Sequence, residues 1–238
     1  MNQTIEVHGP KISFRIPIFG GINVTETIII QWIVMLIIMA VILFLTTGIS
    51  KRKPKKRQII AEIAVKTVNN LVSSNMGVRN IRYAPYIATL FSFILLGSLI
   101  SLTGLRSMTA DINVTMSFAL VTFAMITIHK FKANGFIGYF KSYTQPVAFI
   151  TPINIISEFA TPVSMGFRLF GNMAGGMIIS MLIYYGLGSI TSVIGISIPI
   201  FTVGIPAVLS LYFDLFVSTI QSFVFIMLTM TFIGSADE

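Results

Sequence analysis

The sequence predicts an all-α polytopic membrane protein with five membrane-embedded helices and one amphipathic surface helix, the last two embedded helices forming a long tilted hairpin. Three observations lead there. Only 10% of the 238 residues are charged, 55% are hydrophobic and the mean hydropathy is +0.88, whereas a soluble chain is typically about a quarter charged. Charge-free runs long enough to cross a bilayer recur along the chain. Basic residues gather at the ends of two of those runs, which also orients them.

Residues 1–26 read as an N-terminal segment outside the membrane. The run 27–50 has no charge, and about 24 helical residues reach about 36 Å, enough for a hydrocarbon core of about 30 Å. It ends in KRKPKKR, whereas a cleavable signal peptide has its basic residues first and a shorter apolar core. It is therefore read as a retained first span with the N-terminus outside. Lys51, Arg52, Lys53, Lys55, Lys56 and Arg57 hold six of the sixteen basic residues, so the net charge of +8 is a local, juxtamembrane feature. Such a cluster favours the cytoplasmic face and anionic headgroups over nucleic acid.

Residues 51–82 form a basic loop followed by an amphipathic helix. Ile59, Ile60, Ile63, Val68, Leu71 and Val72 recur near helical spacing, opposite Glu62, Lys66, Asn69 and Asn70. The helix is expected to lie on the cytoplasmic surface. Residues 83–105 make the second span, 106–111 an outer loop and 112–129 the third span. The loop 130–145 then repeats the inside-positive signal through Lys130, Lys132 and Lys141. Between Arg168 and Asp214 lie 45 uncharged residues, too many for one ordinary span. Gly186, Gly188, Gly195, Pro199, Gly204 and Pro206 interrupt them. A long helix over 146–188, an outer turn over 189–206, a second long helix over 207–234 and a cytoplasmic tail over 235–238 follow. No inverted repeat of the secondary-transporter kind is visible.

Between Ser142 and Ala236 the charged residues are Glu158, Arg168 and Asp214. A charge at bilayer depth costs about 2.5–3.5 kcal/mol on insertion scales, so Arg168 is a functional candidate by default. The plainer reading is a structural ion pair with Glu158 or Asp214. Helical spacing puts Thr161, Ser164, Arg168, Asn172 and Gly175 on one stripe, and Ser210, Asp214, Ser218, Gln221 and Ser222 on another. Two polar stripes on antiparallel apolar helices can line a wet path. Gly171, Gly175 and the neighbouring Gly176 would let another helix approach closely. Glu158 lies ten residues before Arg168, about 15 Å along a helix. Asp214 lies nineteen residues before Ile233, about 28 Å above its end. Two half-paths separated by a fixed cation are the expected arrangement.

Other chemistry is poorly supported. With no cysteine and two histidines, His8 and His129, far apart, neither a metal site nor a cofactor is expected. HExxH, GxSxG and a phosphate loop are absent from the sequence, so neither hydrolysis nor nucleotide binding is expected here.

From about Ile28 to Ile233 the chain resembles subunit a of bacterial F-type ATP synthases. PVSMGFRLFGNMAGG carries the resemblance, supported by TADINVT at 109–115 and FDLFVSTIQSFVFIMLT near the end. The family's essential arginine falls on Arg168, its asparagine on Asn172 and its C-terminal glutamine on Gln221. Some members carry a glutamate nine residues after the arginine, partnered by a histidine on the last helix, where this chain has Met177 and Asp214. Many have an acid where Asn154 stands. The outer path is therefore expected to rely on Asp214 and the inner path on Glu158, with Ser164 and Ser218 also counted among the ion-path residues. Gly171, Gly175 and Gly176 are expected to pack on the rotor. The resemblance implies a non-catalytic, multi-pass stator subunit in the bacterial cell membrane, one copy per complex. Its implied partners are lipid, a c-ring and the peripheral stalk b subunits, and it would couple protons or sodium to rotation. The alternative is a self-contained secondary transporter with Arg168 binding an anion.

Overall fold

The computed structural model describes residues 12–17, 22–48, 55–144, 148–194, 208–209 and 211–235. Expectations that fall on residues 1–11, Lys51, Arg52, Lys53, Ser210, most of the outer turn (195–206) and the tail 236–238 lie outside them. Among the described residues, five helices are long and apolar enough to cross a membrane: Glu26–Thr46, Val78–Thr103, Ile112–Ala133, Thr151–Gly188 and Leu211–Gly234. The all-α expectation holds, with one addition. A two-stranded antiparallel hairpin, β1 (Ile12–Ile16) and β2 (Ile22–Thr25), precedes the first helix.

Helix α1 (Glu26–Thr46) shows why composition reads so clearly in this chain. From Trp32 to Phe44 it exposes Ile33, Met35, Leu36, Ile37, Met39, Val41, Ile42 and Leu43. Such a surface is matched by hydrocarbon, not water. The Arg57 guanidinium lies 4.0 Å over the Phe44 ring and ties the end of α1 to the start of α2 (Lys56–Met76). On α2, Val72 and Met76 are buried while Val68 and Leu71 pack against the core. Ile59, Ile60 and Ile63 stay exposed. Among the described residues, only the C-terminal half of its apolar face is covered.

Helices α3 (Ala84–Leu99), α4 (Ile112–Tyr143), α5 (Thr151–Ile194) and α6 (Ser218–Gly234) build the core. Their inward stripes carry small and polar residues at helical steps. On α4 these are Thr115, Ala119, Thr122, Ile126 and His129, and on α6 Ser218, Ser222, Phe225, Thr229 and Ile233. Apolar side chains face outward and hydroxyls inward, because lipid gives helices no hydrophobic reason to associate and close packing must supply it. The hydroxyls of these stripes are satisfied: Tyr86 OH lies 3.1 Å from Thr122 Oγ1, and Ser222 and Thr229 donate to carbonyls four residues back.

Two departures from regular helix position the site. Residues 130–145, read from sequence as a loop, continue as helix through Tyr143, bent at Gly135. There φ is 69° and ψ is 171°, a region essentially restricted to glycine. Second, α6 is preceded by a π-helical turn, Leu211–Val217, and Asp214 sits inside it. Helix α5 has 44 residues, about 66 Å of helix against a core of about 30 Å, so it must tilt or extend beyond the bilayer.

Candidate functional site

The register between α5 and α6 follows from two contacts. Ser218 Oγ donates to Met173 Sδ at 3.1 Å, and a Cβ on Gly176 would meet the Phe213 ring at 3.1 Å. In an antiparallel pair the residue numbers of facing positions have a constant sum, here near 390. Arg168 is thereby level with 221–223, Glu158 with Phe232, and Asp214 with Gly176. A cavity shared by Glu158 and Phe232 agrees with this pairing. Along α5, Glu158 and Asp214 then lie about 15 Å and about 12 Å on opposite sides of Arg168.

At the first end, α4 and α5 enclose a cavity of about 370 Å³ lined by Lys130, Tyr143, Asn154, Ser157, Glu158 and Thr161, among others. Lys130 Nζ donates to Glu158 Oε1 at 2.9 Å. Tyr139 OH donates to the same oxygen at 3.3 Å, and Tyr143 OH to Oε2. The two phenol oxygens are 2.5 Å apart. Asn154 Nδ2 donates to the Tyr143 carbonyl at 3.0 Å. Lys130 and Tyr143 are thirteen residues apart, about 20 Å along a straight helix, yet both touch one carboxylate. The bend at Gly135 makes that possible. Burial, and then the neighbouring carboxylate, pushes the Tyr139 phenol up to about 12, so it remains an O–H donor at physiological pH. Pro162 also lines the cavity. Having no N–H, it leaves the Glu158 carbonyl without its helical donor.

Arg168 is exposed on the side of α5. Its guanidinium makes no hydrogen bond or ion pair among the described residues, and Glu158 is paired with Lys130 instead. The structural ion pair considered from sequence is therefore not what forms. Asn172 Nδ2 donates to the Arg168 carbonyl at 2.9 Å, which fixes the amide beside the arginine. Ser164 is exposed one turn earlier. Cβ atoms built on Gly171 and Gly175 meet nothing within 4 Å, so this flank is open. Gly176 is different. It was expected on the outward face, but it points inward against Phe213, because its helical angle from Gly171 and Gly175 turns it toward α6. Level with Arg168, Gln221 Oε1 is buried with no hydrogen-bond partner among the described residues. An unmet buried acceptor costs about 1–3 kcal/mol.

At the other end, the half-buried Asp214 carboxyl is set beside the Ser101 hydroxyl, which itself donates to the Ser98 carbonyl at 2.8 Å. The π-helical turn widens the chain here, and Ser218 Oγ also donates to the Phe213 carbonyl five residues back, at 3.2 Å. π-bulges concentrate at functional sites. Sequence reasoning missed this turn, as well as Lys130, Tyr139 and Tyr143 around Glu158. Met177, with Arg106, lines a separate cavity of about 250 Å³.

The geometry thus has a polar cavity at Glu158 and a half-buried carboxyl at Asp214 on either side of Arg168, a cation unpaired among the described residues. The model of the ATP synthase A chain family matches residues 28–234. The chain is 34% identical to "ATP synthase subunit a, sodium ion specific" of Propionigenium modestum, over 98% of this chain and 86% of that protein. It is 35% identical to "ATP synthase subunit a 3" of Pelobacter propionicus, over 87% of this chain and 86% of that one. The "ATP synthase subunit a" of Moorella thermoacetica is 31% identical over 91% and 92% of the two chains. The matched span runs from the first membrane helix through the helix pair that holds Arg168 and Gln221, and on that ground the chain belongs to the ATP synthase A chain family, as a multi-pass subunit of the membrane sector.

Proposed function

We propose that this subunit is the ion-conducting stator of a rotary ATP synthase, with Arg168 separating two offset half-paths that open against a c-ring. The observation that carries the reading is a guanidinium with no partner among the described residues, on an open helix flank between the Glu158 cavity and Asp214. An unpaired charge at bilayer depth is costly, so a partner must cover it. The partner that fits presents closely packed helices to Gly171 and Gly175 and a carboxylate to Arg168. A ring of c subunits supplies both. Gln221 adds a free acceptor at the same level, and Asn172 and Ser164 border the cation.

In this reading the inside-positive signals orient the chain, so Glu158 faces the cytoplasmic half-path and Asp214 and Ser218 the outer one. During synthesis an ion enters past Asp214 and neutralises a c-subunit carboxylate, which then rotates into lipid. When that carboxylate returns, Arg168 lowers its proton affinity by opposing charge, and the ion leaves past Glu158. A guanidinium is suited to this task because it is not deprotonated in proteins, whereas a desolvated lysine can be. An ion crossing about 150 mV releases about 3.5 kcal/mol, and a path straight past the cation would dissipate it. Subunit a contributes no ATP chemistry, which belongs to other subunits. One copy would sit in each complex in the bacterial cell membrane, held by peripheral stalk b subunits. Family membership favours this over a free-standing anion transporter. The test is Arg168→Ala in the reconstituted complex: ATP synthesis falls to background while ATP hydrolysis by the soluble head persists. Normal ATP-driven pumping in that variant would refute the reading.

A further inference from the structure

The Glu158 carboxylate is well supplied with donors for a group on an ion path. Oε1 accepts from the Lys130 ammonium and from Tyr139, while Oε2 accepts from Tyr143. Its closest cation belongs to the chain itself. Lys130 stands about a third exposed beside a carboxylate that is 10% exposed, so the tether can leave for the water of the cavity while the acid cannot. A lysine stem that keeps its head in water is an ordinary way to do this.

We propose that Lys130 is a tethered competitor for the translocated cation: it occupies the carboxylate when no ion is present and must be displaced from Glu158 whenever a proton or sodium ion passes the cytoplasmic half-path. This rests on the half-path reading above. No covalent bond changes; one monovalent cation replaces another on Oε1, and the ammonium moves into the cavity. The hydrogen-bond inventory favours such an exchange. Two phenol protons serve three contacts, Tyr143 to Oε2, Tyr143 to Tyr139 and Tyr139 to Oε1. A proton arriving on the carboxylate supplies the missing one. The groups that face Glu158 are Lys130, Tyr139 and Tyr143 from α4 and Asn154, Ser157 and Thr161 from α5, while α6 offers Phe232, which has no charge. Among the described residues Lys130 is thus the one positive charge in the lining, and its removal should be felt by the incoming ion.

The complete reconstituted complex is driven by ATP, so that ions enter from the head side. Sodium is varied there at fixed pH, and pH is varied at fixed sodium, which identifies the cation that competes. In Lys130→Gln the half-maximal rate should be reached at about tenfold lower concentration of the coupling cation, equal to about one pH unit higher if it is the proton. Lys130→Arg should move it the other way, because a guanidinium can hold a carboxylate through two bonds, and this variant keeps the ion pair if the neutral one does not assemble. Lys130→Cys, in a subunit with no other cysteine, should behave as Lys130→Gln and revert once aminoethylation restores the charge. A purely structural lysine would lower the amount of working enzyme and leave the half-saturation point where it was. Unchanged half-saturation in Lys130→Gln or Lys130→Arg overturns the proposal. The Glu158→Gln variant separates the two failures: if it alone raises half-saturation, only the tether is wrong, and if it too changes nothing, Glu158 is off the path.

Discussion

Ten residues of α5 separate two opposite treatments of charge. At Glu158 the chain surrounds a carboxylate with its own lysine and two of its own tyrosines. At Arg168 it leaves a cation with no partner among the described residues, beside glycines that nothing covers. Desolvation acts on both, and a charge in a low-dielectric setting must be paired or watered. The difference lies in where the compensation comes from. The first end is completed by folding, while the middle of the helix has no such partner among the described residues and, on the proposed reading, is completed by another molecule. In that reading the chain separates what it can balance alone from what a moving partner balances in turn.

Apart from the loss of coupling in Arg168→Ala, the largest expected way to erase this contrast is Gly135→Ala. An alanine forced to the backbone angles of Gly135 costs about 1–3 kcal/mol, and a straightened α4 would carry Tyr139 and Tyr143 away from Glu158. Thermal unfolding of the detergent-solubilised complex should show the loss. Cytoplasmic-side uptake should slow while the Arg168 flank, on another helix, is unaffected. A smaller effect is expected from Asp214→Asn. Ion flux should fall severalfold, with the dependence on outer-side pH flattened and that on inner-side pH retained. The same rate as the parent from about pH 6 to about pH 9 would take Asp214 off the path.

The smallest effect sharpens the paired end alone. Burial first, and the Glu158 carboxylate second, hold the Tyr139 phenol up to about 12 against an ordinary 10.0. Because the folded state raises this value, the favourable neutral form is fully present below pH 10 and is lost as pH climbs toward about 12. Ultraviolet titration of the parent against Tyr139→Phe should isolate one late-titrating phenol. In Glu158→Gln that phenol should move down toward the ordinary value, though not reach it, since burial remains.

What could be read before folding follows the same division. Arg168 was legible as a candidate because charge is so scarce that a single cation stands out, and because 3.6-residue periodicity places Ser164, Asn172 and Gly175 near it without any tertiary information. The glycines of GNMAGG show the limit. Gly171, Gly175 and Gly176 look equivalent in sequence, yet the first two are open and the third is packed on Phe213. That distinction depends on how α5 rotates against α6. The Glu158 cluster was half legible: the acid was singled out, but its partners lie 28, 19 and 15 residues away. They converge only because Gly135, which reads like any loop glycine, takes a backbone conformation other residues avoid. The π-helical turn at Asp214 left no local signature either, since LYFDLFV is an ordinary apolar helix by composition.

The dependence of the Arg168 flank on an outside partner is tested most directly by crosslinking. With no cysteine elsewhere in the subunit, Gly171→Cys and Gly175→Cys place single thiols on the open flank, and Leu169→Cys places one on the buried face of the same turn. In the assembled complex, paired with single cysteines along the outer helix of the ring subunit, the two glycine positions should form disulfides with the ring and Leu169→Cys should not. Ring crosslinks from Leu169→Cys, or none from either glycine position, would contradict the placement of Arg168 against the rotor.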